Sequence, residues 1–189
     1  MPGVMLKKIH GKSGYSIWMQ GLDADRVLVM VDGEPVSAST NSTVDLTQIS
    51  TSEIERIEIV KGASSALYGS SAMGGVINVI TRRASQPLAW SVAVDGGSWG
   101  DDDLDDASPI ASRHIDANLS LQEDRWSFLA TGNVRSSDGY DLDKSTFSTQ
   151  GDAGEKANIF TRLSYRPDAN TEFYISPKYY REDIQNQFA

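Results

Sequence analysis

From residue 115 onward the chain alternates apolar and polar residues with a period of two, and this limits its folds more than any other feature. In the first run Ile115, Ala117, Leu119 and Leu121 oppose Asp116, Asn118, Ser120 and Gln122. In the second, Trp126, Phe128, Ala130, Gly132 and Val134 oppose Ser127, Leu129, Thr131, Asn133 and Arg135. In the third, Ala157, Ile159, Thr161, Leu163 and Tyr165 oppose Asn158, Phe160, Arg162, Ser164 and Arg166. Leu88–Asp95 and Glu172–Tyr180 are weaker versions of the same pattern. A period of two puts successive side chains on opposite faces of an extended strand. Five antiparallel strands are therefore expected, each of about 9–11 residues, the length that crosses a bilayer when tilted.

The connections point the same way. Glu123-Asp124-Arg125 and Pro167–Asn170 read as tight turns, whereas Gly96–Ser112 and Ser136–Lys156 are long and polar. Short turns at one end and long loops at the other is the pattern of outer-membrane barrels. Trp90, Trp126, Tyr165 and Phe173 all take the apolar face near the tight-turn end, where one interfacial girdle is expected. A soluble antiparallel sheet with one wet face gives the same alternation. Strand length, loop asymmetry and the one-sided aromatics favour the membrane sheet. Five strands cannot close a barrel, whose smallest membrane form has about 8, and an open edge in lipid leaves backbone groups unsatisfied.

Composition narrows the classes. With 26 acidic and 17 basic residues among 189 the net charge is -9, a poor match for nucleic-acid phosphates. The absence of cysteine removes disulfides and thiolate metal sites. The longest apolar run, Val27–Val31, is far short of a membrane helix, a limit that does not apply to barrel strands. The opening MPGVMLKKIHGKSG has Lys7 and Lys8 but no apolar segment after them, so it is not expected to act as a signal peptide.

Before residues 84–88 the chain has a different character, glycine-punctuated and compact. Val27–Val31 reads as a buried strand ending in an Asp32-Gly33 turn. Thr51–Glu55 reads as a short helix or turn with Ser52 as its N-cap. Ile57–Val60 and Val76–Thr81 read as strands. Between them lies a stretch of small residues that includes Gly62, Gly69, Gly74 and Gly75. Such a stretch either cradles a phosphate or lets backbone pack where a side chain would not fit.

Phosphate chemistry fails on spacing. Gly11-Lys12-Ser13 ends like a P-loop, but Leu6 stands where the first glycine is required. The small-residue stretch contains no dinucleotide fingerprint, and the chain has no serine nucleophile elbow. His10 and His114 are isolated in sequence, and no Ser/His/Asp spacing argues for a triad. The acidic segments Asp101–Asp106 and Asp138–Asp143 lack the spacing of an EF-hand loop and are expected to be solvated. No catalytic, cofactor-binding or metal-ligating residue is expected.

Read in order, several segments resemble the TonB-dependent outer-membrane receptors. Pro2-Gly3-Val4 is similar to an early motif of the family's plug domain, and Ile17–Gly21 to its Ile-Arg-Gly motif. Val27–Val36 resembles the strand and turn that follow. Ile54–Gly62, Ser65–Gly69 and Gly74–Thr81 resemble its most specific run. The resemblance implies a mainly β fold with small α content in the plug. It makes residues 1–84 a partial plug and residues 85–189 the first strands of a barrel of about 22. It implies import of a scarce nutrient, chiefly a ferric siderophore, alternatively haem or cobalamin, rather than catalysis. The partners it implies are that metal chelate, outer-membrane lipid, and TonB with its inner-membrane motor complex, in a Gram-negative outer membrane.

The resemblance also assigns residues. Tyr68 and the loop Val36, Ser37, Ala38, Ser39 and Thr40, running on to Thr43, match positions that face substrate at the plug apex. Glu55, Arg56, Glu58 and Lys61 match plug residues that meet the barrel wall. Gly21, Gly33, Gly62, Gly69, Gly74 and Gly75 match the plug's motif glycines, which allow tight backbone packing and positive φ. Gln20 departs from the family, where arginine is usual, which puts one plug–wall ion pair in doubt. Without a signal peptide or a TonB-binding box before Pro2, the chain reads as an internal piece of a receptor.

Overall fold

The computed structural model describes residues 2–9, 14–36, 43–62, 68–98, 110–140, 145 and 151–185. The chain divides into two compact units, Met1–Arg82 and Arg83–Ala189.

The first unit contains a hairpin of β1 (Val4–Lys8) and β2 (Tyr15–Met19). Beside it is a four-stranded mixed sheet in the order β4 (Glu34–Pro35), β3 (Val27–Val31), β6 (Gly75–Thr81), β5 (Ile54–Lys61). β3 runs parallel to β6, with Val29 opposite Ile77, while β5 runs antiparallel to it. The two most apolar runs, the second interrupted only by Asn78, thus become the two inner strands, as burial on both faces requires. Met19, Val27 and Ile77 form one core cluster, with Val4, Ile17 and Ile59 packed against it. Met30, Ala72 and Val76 form a second cluster.

The helical turns Ala24–Arg26, Leu46–Gln48, Thr51–Glu53 and Ser70–Ala72 are 3-10 in geometry. The cap of the third is Ser50, not Ser52 as the sequence suggested. Ser50 and Glu53 form a capping box, with the Ser50 amide donating to Glu53 Oε1 at 2.9 Å. The S-x-x-E spacing is the stronger signal because it satisfies two amides at once.

The second unit is an antiparallel meander. β7 (Leu88–Gly97), β8 (Ser112–Glu123), β9 (Trp126–Tyr140) and β10 (Gly151–Asp168) pair in chain order. β11 (Thr171–Ile175) and β12 (Lys178–Gln185) both lie on the far edge of β10. They keep one register, with Leu163 opposite Ile175 and Phe160 opposite Lys178. Pro177 lies between them and has no N–H to give, but its carbonyl still accepts from the Thr161 amide at 3.0 Å. β11 and β12 are thus one strand interrupted by a proline, and the expected five strands are present.

Both tight turns form. Asp124 and Arg125 join the paired residues Glu123 and Trp126, and Ala169 and Asn170 join Asp168 to Thr171. The expectation of 9–11 residues per strand is too short. β9 has 15 residues and β10 has 18, with pairing carried out to Tyr140 opposite Gly151. The polar composition of Ser136–Lys156 suggested a loop, but ladder hydrogen bonds need no apolar face.

Candidate functional site

In the second unit the usual relation between polarity and burial is reversed. Trp90 is 73% exposed and Ile159 is 51% exposed, whereas Arg162 is 2% and Asn158 6% exposed. Val92, Val94, Ile115, Leu119, Leu121, Trp126, Val134, Leu163 and Phe173 are exposed with the first pair, and Thr131 and Ser164 are buried with the second. A soluble sheet with one wet face would bury the apolar side. Here the sheet buries its polar side and offers the apolar side outward, as a barrel wall does.

Registry defines the apolar band. Trp126, Tyr165 and Phe173 share one lateral row nearest the tight turns, with the Trp126 and Tyr165 rings 4.6 Å apart. Leu88, Leu121, Phe128, Leu163 and Ile175 form the next row. Trp90 sits one row further still, opposite Leu119, so it does not join the aromatic row as the sequence suggested. The last apolar row holds Val94, Ile115, Val134 and Ala157. Beyond it Arg113, Ser136, Glu155 and Asp183 take the outward positions. From Trp126 to Val134 the strand rises about 26 Å, or about 20 Å of height at the roughly 40° tilt of barrel strands, close to the apolar band of about 25 Å that such walls present.

The inward face is laced with polar contacts. His114 lies between Asp95 (3.1 Å) and Asp116 (2.8 Å). Lys156 pairs with Glu182 at 3.2 Å, and Tyr180 donates to the same carboxylate at 2.8 Å. The Arg162 guanidinium stacks on Tyr174 at 3.9 Å. The isolation of His114 in sequence hid this cluster, because its partner Asp95 is 19 positions away. The pairing of β7 with β8 brings them together.

In the first unit Gly74 and Gly75 serve packing. A Cβ on Gly74 would lie 3.2 Å from the Arg26 carbonyl oxygen, and one on Gly75 would lie 2.7 Å from Met19 Cε. Gly21, Gly33, Gly62 and Gly69 have open space around them but adopt positive φ. Of the two readings of the stretch, close backbone packing is the one the geometry supports.

The Asp32-Gly33 turn is braced from β6. Asp32 accepts hydrogen bonds from both the amide and the hydroxyl of Thr81, and the Gly33 amide donates to Asn78 Oδ1 at 3.0 Å. The turn folds β4 back along β3 until the Val36 amide reaches the Val29 carbonyl at 3.0 Å. The expected apical residues Ser37, Ala38, Ser39 and Thr40 lie outside the described residues, as do His10, Gly11-Lys12-Ser13 and Asp101–Asp106. Tyr68 is 47% exposed.

The four charged residues expected to meet a wall have partners inside the first unit. Arg56 bonds Glu55 at 2.8 Å and Glu58 at 3.0 Å. The hydrogen bond that Arg56 donates to Glu58, reinforced by attraction to Glu58 and Glu55, pushes the guanidinium above its already high ordinary pKa. Lys61 donates to the Pro2 carbonyl at 2.7 Å. Gln20, in place of the usual arginine, occupies a turn with φ of 53° and donates its amide to the Gly3 carbonyl at 2.9 Å.

Residues 1–76 match the TonB-dependent Receptor Plug Domain. The first unit thus carries the plug domain of the TonB-dependent receptors. It is 38% identical over 112 residues to a vitamin B12 transporter, BtuB, of Vibrio cholerae serotype O1, a match covering 59% of this chain and 18% of the relative. It is 30% identical over 163 residues to the BtuB of Photobacterium profundum, covering 86% of this chain and 25% of the relative. The siderophore receptor PirA from Pseudomonas aeruginosa superposes with a TM-score of 0.68 at 26% identity, covering 98% of this chain and 30% of the receptor. The chain thus spans about a fifth to a quarter of the length of these curated relatives. Those TonB-dependent relatives are transporters and receptors, not enzymes.

Proposed function

We propose that this chain is the plug-to-wall segment of an outer-membrane importer that takes up a scarce, bulky metal chelate and opens its plug with energy delivered by TonB and its inner-membrane motor. One observation carries the reading: an inside-out sheet, apolar side outward and polar side buried, follows a plug unit in the same chain. An apolar outer band fits lipid. A polar inner face fits a water-filled or plugged lumen. The work is binding and gated passage, with no bond made or broken in the cargo.

The cargo we propose is a ferric siderophore or a corrinoid. The likeness to siderophore receptors in fold and the higher identity to vitamin B12 transporters support that pair. Uptake by cells carrying the full-length receptor, in a host lacking its own importers, tests the proposal with radiolabelled cyanocobalamin and with labelled ferric siderophores. Uptake of either that disappears when TonB is deleted supports it. Failure to take up both classes, with the receptor present in the outer membrane, refutes it.

A further inference from the structure

Two consecutive arginines divide the chain. The Arg82 amide donates to the Glu53 carbonyl at 2.8 Å, and its Nε donates to the Ile54 carbonyl at 2.9 Å, so Arg82 is fastened within the first unit. Arg83 Nη1 bonds Glu172 Oε2 at 3.1 Å, so Arg83 is fastened within the second. The boundary between the units falls on the peptide bond that joins them. Arg82 and Arg83 are each held within their own unit.

Glu172 does not serve Arg83 alone. Its other oxygen, Oε1, lies 3.4 Å from Arg166 Nη2 and 4.0 Å from Arg162 Nη2. Three guanidinium groups therefore surround one carboxylate, and only one of them belongs to the junction. An isolated exposed ion pair is weak, but the Glu172 side chain is only 20% exposed, and its location on β11, paired to β10, fixes its position.

We propose that the Arg83–Glu172 pair is a latch that holds the start of the second unit, residues 83–86, up to Pro87, whose carbonyl already accepts from the Gln122 amide at 3.2 Å, and that Arg166 and Arg162 are the competitors that release it. When either takes both carboxylate oxygens, Arg83 loses its anchor and the segment leading into β7 is freed. The latch rests on contacts inside the second unit and is independent of the identity of any cargo.

The chain contains no cysteine, so a single nitroxide can be placed without background. A label at Ser85→Cys, an exposed position between Arg83 and β7, reads the mobility of the segment by its electron paramagnetic resonance line shape. A second label at Glu155→Cys, an exposed position opposite Ser136 at the end of the sheet away from the tight turns, reports general loosening. Glu172→Gln is expected to raise the mobile fraction at residue 85 about threefold or more and leave residue 155 unchanged. Arg83→Ala should do the same, and the double variant should add nothing further. Arg166→Gln removes a competitor and should hold or lower the mobile fraction. An unchanged line shape at residue 85 in Glu172→Gln, equal narrowing at residue 155, or additive effects in the double variant would each overturn the latch.

Discussion

Gly75 and Val60 lie so close across the β5–β6 pair that a methyl group on Gly75 would clash with the Val60 carbonyl oxygen, and it would also press to 2.7 Å from Met19 Cε. Gly75 has a φ of 142°, which side chains rarely adopt, and Met19 is fully buried in the core behind it. Gly75→Ala therefore combines overpacking with backbone strain, and the expected destabilisation is about 2–4 kcal/mol. Gly69→Ala should cost less, about 1–3 kcal/mol of backbone strain alone, because Gly69 has φ of 80° and ψ of -169° but nothing within 4 Å. Hydrogen exchange of the β6 amides across a urea series measures both, and equal costs would show that crowding at Gly75 is relieved by movement of Met19.

Asp32 is the residue through which the turn after β3 is tied to the end of β6. Thr81 is 1% exposed, and both its amide and its hydroxyl donate to the Asp32 carboxylate. Removing that acceptor leaves two buried donors, each costing about 1–3 kcal/mol. Asp32→Ala is expected to destabilise the first unit by roughly 2–4 kcal/mol. Asp32→Asn should cost about half as much, since asparagine keeps one acceptor oxygen and tolerates the positive φ of 51° found there. Urea midpoints of the two variants check the order, and a fall in the Asn variant as large as in the Ala variant would mean that the charge, not the acceptor, is required.

The exposed apolar band makes a prediction about depth. In lipid vesicles, Trp90 and Trp126, each made the sole tryptophan by replacing the others with phenylalanine, should be quenched by brominated lipids. Trp126 lies in the row nearest the tight turns and should respond to bromines near the headgroups. Trp90 lies opposite Leu119, further into the band, and should respond to deeper ones. Leu119→Arg is expected to cost about 2–4 kcal/mol of insertion, and Ser136→Arg, in the charged row beyond the band, less than about 1 kcal/mol. Absence of quenching at both tryptophans would return the sheet to water and remove the barrel reading.

The sequence carried the strands of the second unit because alternation is a local signal that every residue repeats. It placed both tight turns and the apolar face. It missed the extensions of β9 after Arg135 and of β10 before Ala157, because a strand outside lipid loses its apolar side while keeping its ladder. It also left His114 isolated. Its cluster depends on the register of Asp95 against His114, and register is a relation between strands rather than within one. In the first unit the glycine pattern announced close packing, but what each glycine packs against could not be read from spacing. Met19 stands behind Gly75 across 56 positions of chain. Ser52 reads as a cap by residue type alone, whereas the bond from the Ser50 amide to Glu53 marks Ser50 as the cap.

Tyr68 offers the most direct probe of the proposed cargo site. It is 47% exposed, so truncating it removes surface rather than core, and the β6 amides should keep their protection in Tyr68→Ala. If its ring lies against the cargo, Tyr68→Ala should weaken binding of the labelled chelate about tenfold, equivalent to about 1.4 kcal/mol. Tyr68→Phe then separates the two parts of the side chain. Retained affinity assigns the contact to the ring face, whereas a loss equal to that of the Ala variant assigns it to a hydroxyl hydrogen bond. Unchanged binding in both variants, measured by equilibrium binding to outer-membrane preparations, would place Tyr68 away from the cargo and shift the search to the loop that follows Val36.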